Sequence, residues 1–309
     1  MNLKRLRYFA KVVDVGSLTQ AADLLHVAQP ALSQQIVTLE AEVRQQLLVR
    51  TKRGVTPTEA GRTLYRHAQV ILRQCEQAML DMKAETAGVA GPVSVGLAPG
   101  TAASTLGLPL IRALRASHPG IVLYLNENYG TALSELIMNG RMDLGVLYGN
   151  RAVHGLSFTP LLEEDLFLVR RGPGGDDVKL AELADAELFL PRPYNVVRKL
   201  VDENFLRAGM APRVIAEVES PITLRAAVAE GLGATILPAS MARDMAQDPA
   251  IGCRRIVAPT IPAQLTLCES DHLPLSEPAQ AVKVILTELA RGLAAVPGWM
   301  PGTGDPGAP

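Results

Sequence analysis

Apolar residues recur at helical spacing from the start of the chain: Leu3, Leu6, Phe9, Ala10 and Val13, ended by Gly16. Ser17 opens a second helix, with Gln20 three positions later as an S-x-x-Q capping box and Ala21, Leu24 and Leu25 on its apolar face. His26 and Val27 close it. A third helix starts at Gln29-Pro30, where proline in the first turn forfeits no hydrogen bond. At about 100° per residue, Leu32, Ile36, Leu39 and Val43 fall on one side of this helix. Pro30, Ser33, Gln34 and Val37 fall on the other, with Gln29 at the N-terminal end. Two short helices joined by a tight turn form a helix-turn-helix arrangement. Strand-like runs at Leu47–Val49 and Val55-Thr56 then flank the turn R-T-K-R-G, with Arg50, Lys52 and Arg53 as its cations.

From Thr58, which can cap a helix with Glu59 in its first turn, the period lengthens to a heptad. Leu64, Ala68, Ile71, Cys75, Ala78 and Met82 are spaced 4, 3, 4, 3 and 4 apart. So narrow a stripe, flanked by Arg66, Gln69, Arg73 and Glu76, suits pairing with a second helix; the alternative is a helix packed on its own domain. Gly88, Gly91 and Pro92 follow as a hinge.

Beyond the hinge, strands and helices alternate. Val93–Ala98, Ile121–Leu125 and Asp143–Tyr148 read as strands, and Leu106–Ser117 and Thr131–Met138 as helices. That βαβαβ order implies a parallel sheet with helices on its faces. Leu166–Val169 begins a second lobe, with strands at Leu188–Leu190, Val214–Val218 and Ala234–Leu237. Its helices fall near Val196–Leu206, Thr223–Ala229 and Met241–Met245. Strand Leu265–Cys268 and a last helix, Ala279–Leu293, are expected to return to the first lobe.

Composition narrows the class. The 309 residues are 48% hydrophobic and 20% charged, as expected of a globular protein of two or three domains. The N-terminus has no apolar signal segment, and the charge-free run Thr86–Ile111 is broken by glycines and prolines, so neither export nor a membrane span is expected. Cys75, Cys253 and Cys268 have neither metal-ligand nor C-x-x-C spacing and point to a reducing, cytoplasmic setting. The net charge of −1 conceals an asymmetry: residues 1–66 hold ten Lys or Arg against five Asp or Glu, the remainder twenty against twenty-six. A basic head on an acidic body suggests that the head alone meets a polyanion. Ser, Gln and a helix N-terminus suit base edges and phosphates, and a basic hairpin can reach the neighbouring backbone or minor groove.

The stretch G-S-L-T-Q-A-A-D-L-L-H-V-A-Q-P-A-L-S-Q-Q-I-V-T-L-E, followed by R-T-K-R-G-V-T-P-T-E-A-G, resembles the signature of LysR-type transcriptional regulators over some fifty contiguous positions. Q-P-A-L-S-Q-Q, L-L-V-R-T-K-R-G-V-T-P-T-E-A-G and G-L-A-P-G-T-A-A-S are similar to the branch of nitrogen assimilation control proteins. The resemblance implies an α/β protein with an all-α, winged helix-turn-helix N-terminal domain over 1–57. A dimerising linker helix over 58–87 and an effector domain over 88–295, two-lobed like a periplasmic binding protein, complete it. Lobe I would comprise about 88–161 and 269–295, lobe II about 162–268, and 296–309 a disordered tail. It further implies DNA contacts at Ser17, Thr19, Gln29, Pro30, Ser33, Gln34, Arg50, Lys52 and Arg53. Three residues depart from the family pattern: Ala28 for a capping Ser, Gln34 for a frequent Arg, and Arg44 for a turn Gly.

In open α/β sheets ligands sit beyond the carboxyl ends of strands. That rule selects Pro99, Gly100, Thr101, Ser104, Asn128, Thr131, Tyr148, Pro191, Tyr194, Ser220 and Thr223 as an inter-lobe pocket for a small-molecule effector. Hydroxyls at helix starts suit a small anion, although each hydroxyl could simply cap its helix. Glu127 and Glu219 would oppose a strongly anionic ligand if they line the cleft. No catalytic, metal or cofactor constellation is visible: no G-x-S-x-G, H-E-x-x-H or P-loop. Cys253 and Cys268 read as inert thiols and not as a redox switch. The expected function is a regulator that binds dyad-symmetric double-stranded DNA as a homodimer or homotetramer. An effector would modulate it, unless it acts without one, and RNA polymerase is an expected partner. The alternative is a small-molecule-binding α/β module that does not read DNA.

Overall fold

The computed structural model describes residues 1–51, 54–84, 89–99, 103–149 and 153–294. Lys52, Arg53, Gly100, Thr101, the side chain of Ser104 and the tail 296–309 lie outside the described residues. The chain divides into two compact units, Met1–Ala87 with Asn139–Arg141 and Gly88–Met138 with Met142–Pro309.

The first unit contains α1 (Leu3–Val15), α2 (Leu18–Leu24), α3 (Gln29–Val43), a hairpin of β1 (Leu48–Thr51) and β2 (Gly54–Pro57), and α4 (Glu59–Ala84). Ser17 caps α2 by accepting a hydrogen bond from Gln20 N at 3.4 Å. Phe9, Val12, Ala21, Ala22, Leu32, Ile36, Leu39, Leu47 and Leu48 form the core. Leu24, expected on the apolar face of α2, is instead 59% exposed. Ala21 and Ala22 make the buried contact because small side chains let this short helix approach its neighbours closely. Glu40 Oε1 accepts the Leu47 and Leu48 amides at 2.8 and 3.1 Å, tying α3 to the hairpin. Thr58 Oγ1 accepts the Gly61 amide at 3.0 Å and so caps α4. Early in α4, Leu64 and Tyr65 pack on the head core and Ala68 is buried, whereas Ala78 and Met82 are exposed. Ile71 and Cys75 are half-buried.

The second unit opens with β3 (Gly91–Leu97), a π-turn (Ala103–Gly107), α5 (Leu108–Ser117), β4 (Ile121–Glu127), α6 (Gly130–Met138) and β5 (Leu144–Tyr148). Next come β6 (Leu156–Arg171), β7 (Val178–Lys179), β8 (Glu187–Leu190), α7 (Val196–Arg207), β9 (Arg213–Glu217), α8 (Pro221–Glu230) and β10 (Ala234–Pro238). Helix α9 (Ala239–Met245), β11 (Ile251–Val257), β12 (Pro262–Ser270) and α10 (Glu277–Ala294) complete it. The sheet order is β4-β3-β5-β12-β6-β10-β8-β9, with β11 also on β6. Strands β4, β3 and β5 run parallel, as do β10, β8 and β9. All five residues of β5 are buried, as expected of a strand covered on both faces.

Strand β6 begins ten residues before the expected Leu166. Its first part pairs with β12, and its last residues pair with β10 and β11. One 16-residue strand therefore belongs to both lobes. The acidic run Glu163-Glu164-Asp165 breaks its apolar pattern midway.

Candidate nucleic-acid interface and inter-lobe cavity

In the head, α3 presents Gln29, Pro30, Gln34 and Val37 to solvent, with Ser33 half-buried. The helix carries no Lys or Arg, so its outward face is amide, hydroxyl and methyl. Arg50 of β1 donates from Nη1 to Ser33 Oγ at 2.9 Å, bringing one hairpin cation onto the outward face of α3. Thr19 is exposed, whereas the Ser17 hydroxyl is occupied by its own helix. Two family departures have visible consequences. Ala28, at the N-cap of α3, offers no side-chain acceptor, which costs about 1 kcal/mol relative to Ser. Arg44 closes α3 at φ 53°, the left-handed region that favours glycine.

In the body a cavity of about 600 Å³ opens between the lobes. Pro99, Thr131 and Tyr148 line it from one lobe and Tyr194 from the other, as the strand-end rule selects. Asn128, Pro191, Ser220 and Thr223 are not in its wall. Asn128 Oδ1 accepts the Tyr129 amide, and the Pro191 carbonyl accepts Arg198 Nη1, both at 2.9 Å. Ser220 caps α8, accepting from Thr223 N at 3.3 Å and Thr223 Oγ1 at 3.1 Å. Those two hydroxyls thus serve helix capping. Glu163, Lys199, Glu203 and Gln264 line the cavity and escaped the rule. They lie within a strand or further along a helix, not at a strand's carboxyl end.

Tyr129 and Tyr194 meet edge to face at the mouth, with ring centroids 6.1 Å apart. Tyr129 Oη donates to the Glu219 carbonyl at 3.0 Å, and Tyr194 Oη donates to the Glu219 carboxylate. Glu219 is thus engaged by the tyrosines, and neither it nor Glu127 lines the cavity.

Beside the cavity, Glu164 is buried and accepts both Ser240 N (3.0 Å) and Ser240 Oγ (2.9 Å). Burial raises its pKa, opposed by the hydrogen bonds from Ser240 and Tyr148. Asp165, next along β6, pairs with Arg255. A carboxyl whose folded pKa lies above its unfolded value contributes stability that is present at low pH and lost as pH rises through the folded pKa. Glu164→Gln keeps an acceptor for Ser240 without the buried charge. Melting of the variant at a series of pH values is expected to show its midpoint rising relative to wild type as pH climbs above the ordinary glutamate range. A difference that does not change with pH would refute this.

Burial raises the Cys253 thiol to about 11 and, with the Glu269 charge, the Cys268 thiol to about 12. Neither is a thiolate at neutral pH, in keeping with inert thiols. Among the described residues, no cluster of three or more His, Cys, Asp or Glu is arranged to hold a metal. Nor is any described helix long and apolar enough to cross a membrane.

Comparison with known proteins agrees with this two-part layout. Residues 3–62 match the family described as bacterial regulatory helix-turn-helix protein, lysR family, and residues 86–291 match the LysR substrate binding domain. The nitrogen assimilation regulatory protein nac of Klebsiella aerogenes is 51% identical over 290 residues, covering 94% of this chain and 95% of that protein. A full-length OxyR variant from Pseudomonas aeruginosa is similar in structure, with a TM-score of 0.73 and 26% identity over 94% of this chain and 95% of that one. Full-length CbnR in complex with its target DNA gives 0.68 and 26%, covering 94% of this chain and 99% of that one.

Proposed function

Because this chain belongs to the LysR family of bacterial transcriptional regulators, we propose that it reads duplex DNA through α3 and the wing, under the control of a small molecule bound between the lobes. The observation that carries the reading is the outward face of α3: Gln29, Ser33 and Gln34 stand beside a wing arginine that reaches Ser33. Amides and hydroxyls read base edges in the major groove, and the wing cations Arg50, Lys52 and Arg53 grip phosphates. The relative that regulates nitrogen assimilation supports a role in nitrogen control. A DNA-reading protein works in the cytoplasm, with RNA polymerase as a further partner, and needs no catalytic chemistry of its own.

Self-association follows from the geometry of reading. One helix covers only a few base pairs, so a dyad site needs two heads. Exposed Ala78 and Met82 on the heptad stripe of α4 are available for that pairing. A second set of apolar groups lies at the opposite edges of the body sheet. Val122 and Tyr124 of β4 are 69% and 59% exposed, and Ile215 of β9, at the other edge, is 41% exposed. These edges suit a second pairing and hence a homotetramer.

The test is to incubate the full-length protein with sheared genomic DNA, sequence what it retains, and measure binding to the enriched site. Enrichment of sites sharing an interrupted dyad is expected. Gln34→Ala should weaken binding to that site about 10- to 100-fold, the worth of one good base contact, and leave generic DNA binding unchanged. A folded protein that enriches no sequence at low salt would overturn the reading.

A further inference from the structure

Two opposite charges enter the inter-lobe cavity without partners. Glu163 comes from β6, at the point where that strand passes from one lobe to the other, and Lys199 from α7. Neither has an ion-pair partner among the described residues. Glu203, one turn beyond Lys199, also lines the cavity but has Arg207 Nη2 3.8 Å away. The remaining wall is largely aromatic and aliphatic, including Tyr129, Tyr148, Phe158 and Tyr194.

A ligand that closes this cavity removes water from both charges, so each must find a partner in the ligand. A dicarboxylate would satisfy Lys199 but press a carboxylate towards Glu163. A diamine would satisfy the glutamates and repel Lys199. A neutral ligand would strand both charges. Only a molecule carrying an ammonium and a carboxylate answers both, and the aromatic rings favour the ammonium further through their negative faces.

On the reading of this cavity as the effector site, we propose that it selects a free amino acid. The ammonium is held by Glu163 and the carboxylate by Lys199 with the Thr131 hydroxyl, while the side chain packs against the aromatic wall. This replaces the small anion expected from the helix-start hydroxyls with a zwitterion. The deciding residues are the two charges that lie away from the strand ends.

The experiment is calorimetric titration of the full-length protein with each of the twenty L-α-amino acids, with succinate and with putrescine. At least one amino acid is expected to bind, and its analogues lacking the amine or the carboxylate to bind at least tenfold more weakly. Glu163→Gln should weaken the amino acid about tenfold and leave the deaminated analogue unchanged; Lys199→Gln should spare the decarboxylated analogue instead. Both side chains are exposed, so neither substitution disturbs the core.

Binding of succinate or putrescine in place of every amino acid would overturn the assignment. So would amino-acid binding indifferent to both substitutions. A small-molecule extract of the source cells separates this inference from the reading beneath it. If the extract shifts the melting midpoint and the DNA footprint while no amino acid binds, only the ligand class fails. If the extract also changes nothing, effector control fails with it.

Discussion

Replacing the three wing cations together, Arg50→Ala with Lys52→Ala and Arg53→Ala, is expected to weaken binding to every DNA sequence on the order of a hundredfold at moderate salt. Each cation on a phosphate releases condensed counterions, and each contributes about 0.9 to the slope of log affinity against log salt. Three lost contacts should therefore flatten that slope by about 2.7. The ratio between the enriched site and random DNA should survive, because phosphate contacts carry no sequence information. Gln34→Ala, by contrast, should collapse that ratio and leave the slope alone. Titrations at four or five salt concentrations, on specific and random duplexes, separate the two behaviours. An unchanged slope in the triple variant would mean that the wing does not touch the backbone. Arg50 should account for less than a third of the effect if its bond to Ser33 persists in the complex, since that bond holds it on α3.

The difference between local and distant information explains what could be read before the structure. In α3 the code is local: Leu32, Ile36 and Leu39 share a face by spacing alone, and all three are fully buried. The caps Ser17 and Thr58 were legible for the same reason, since each satisfies a donor three residues away. Strand β6 was not, because its acidic centre depends on distant partners. Glu164 is held by Ser240, 76 residues later, and Asp165 by Arg255. A local hydropathy pattern shows only three acids there and begins the element after them. The cavity divides along the same line. The strand-end rule finds Pro99, Thr131, Tyr148 and Tyr194, which terminate or follow strands. It passes over Lys199 and Glu203, inside α7, and Gln264, on the returning strand β12. It also cannot distinguish Thr131, which lines the cavity, from Ser220 and Thr223, which cap a helix; that depends on how α8 is seated.

The largest single-residue loss is expected from Phe9→Ala. Phe9 is fully buried in the head core, among Leu32, Ile36, Leu39 and Leu47. Removing its ring forfeits the transfer energy of the side chain and leaves a cavity, together about 3–5 kcal/mol. Small domains bury little surface and have the least stability to spare, commonly near the low end of about 5–15 kcal/mol. The head would thus be largely unfolded near its growth temperature, and α3 would lose the base on which its reading face is held. Among the described residues, none of the buried clusters of the body contains a head residue, so the damage should stay in the head. Calorimetry is expected to show one transition lost or moved far down while the body's transition, and its ligand binding, remain. Phe9→Leu, which preserves most of the volume, should cost less than about 1.5 kcal/mol and keep DNA binding. If Phe9→Ala instead lowered a single transition for the whole chain, the two units would be folding as one, and loss of DNA binding could no longer be assigned to the head.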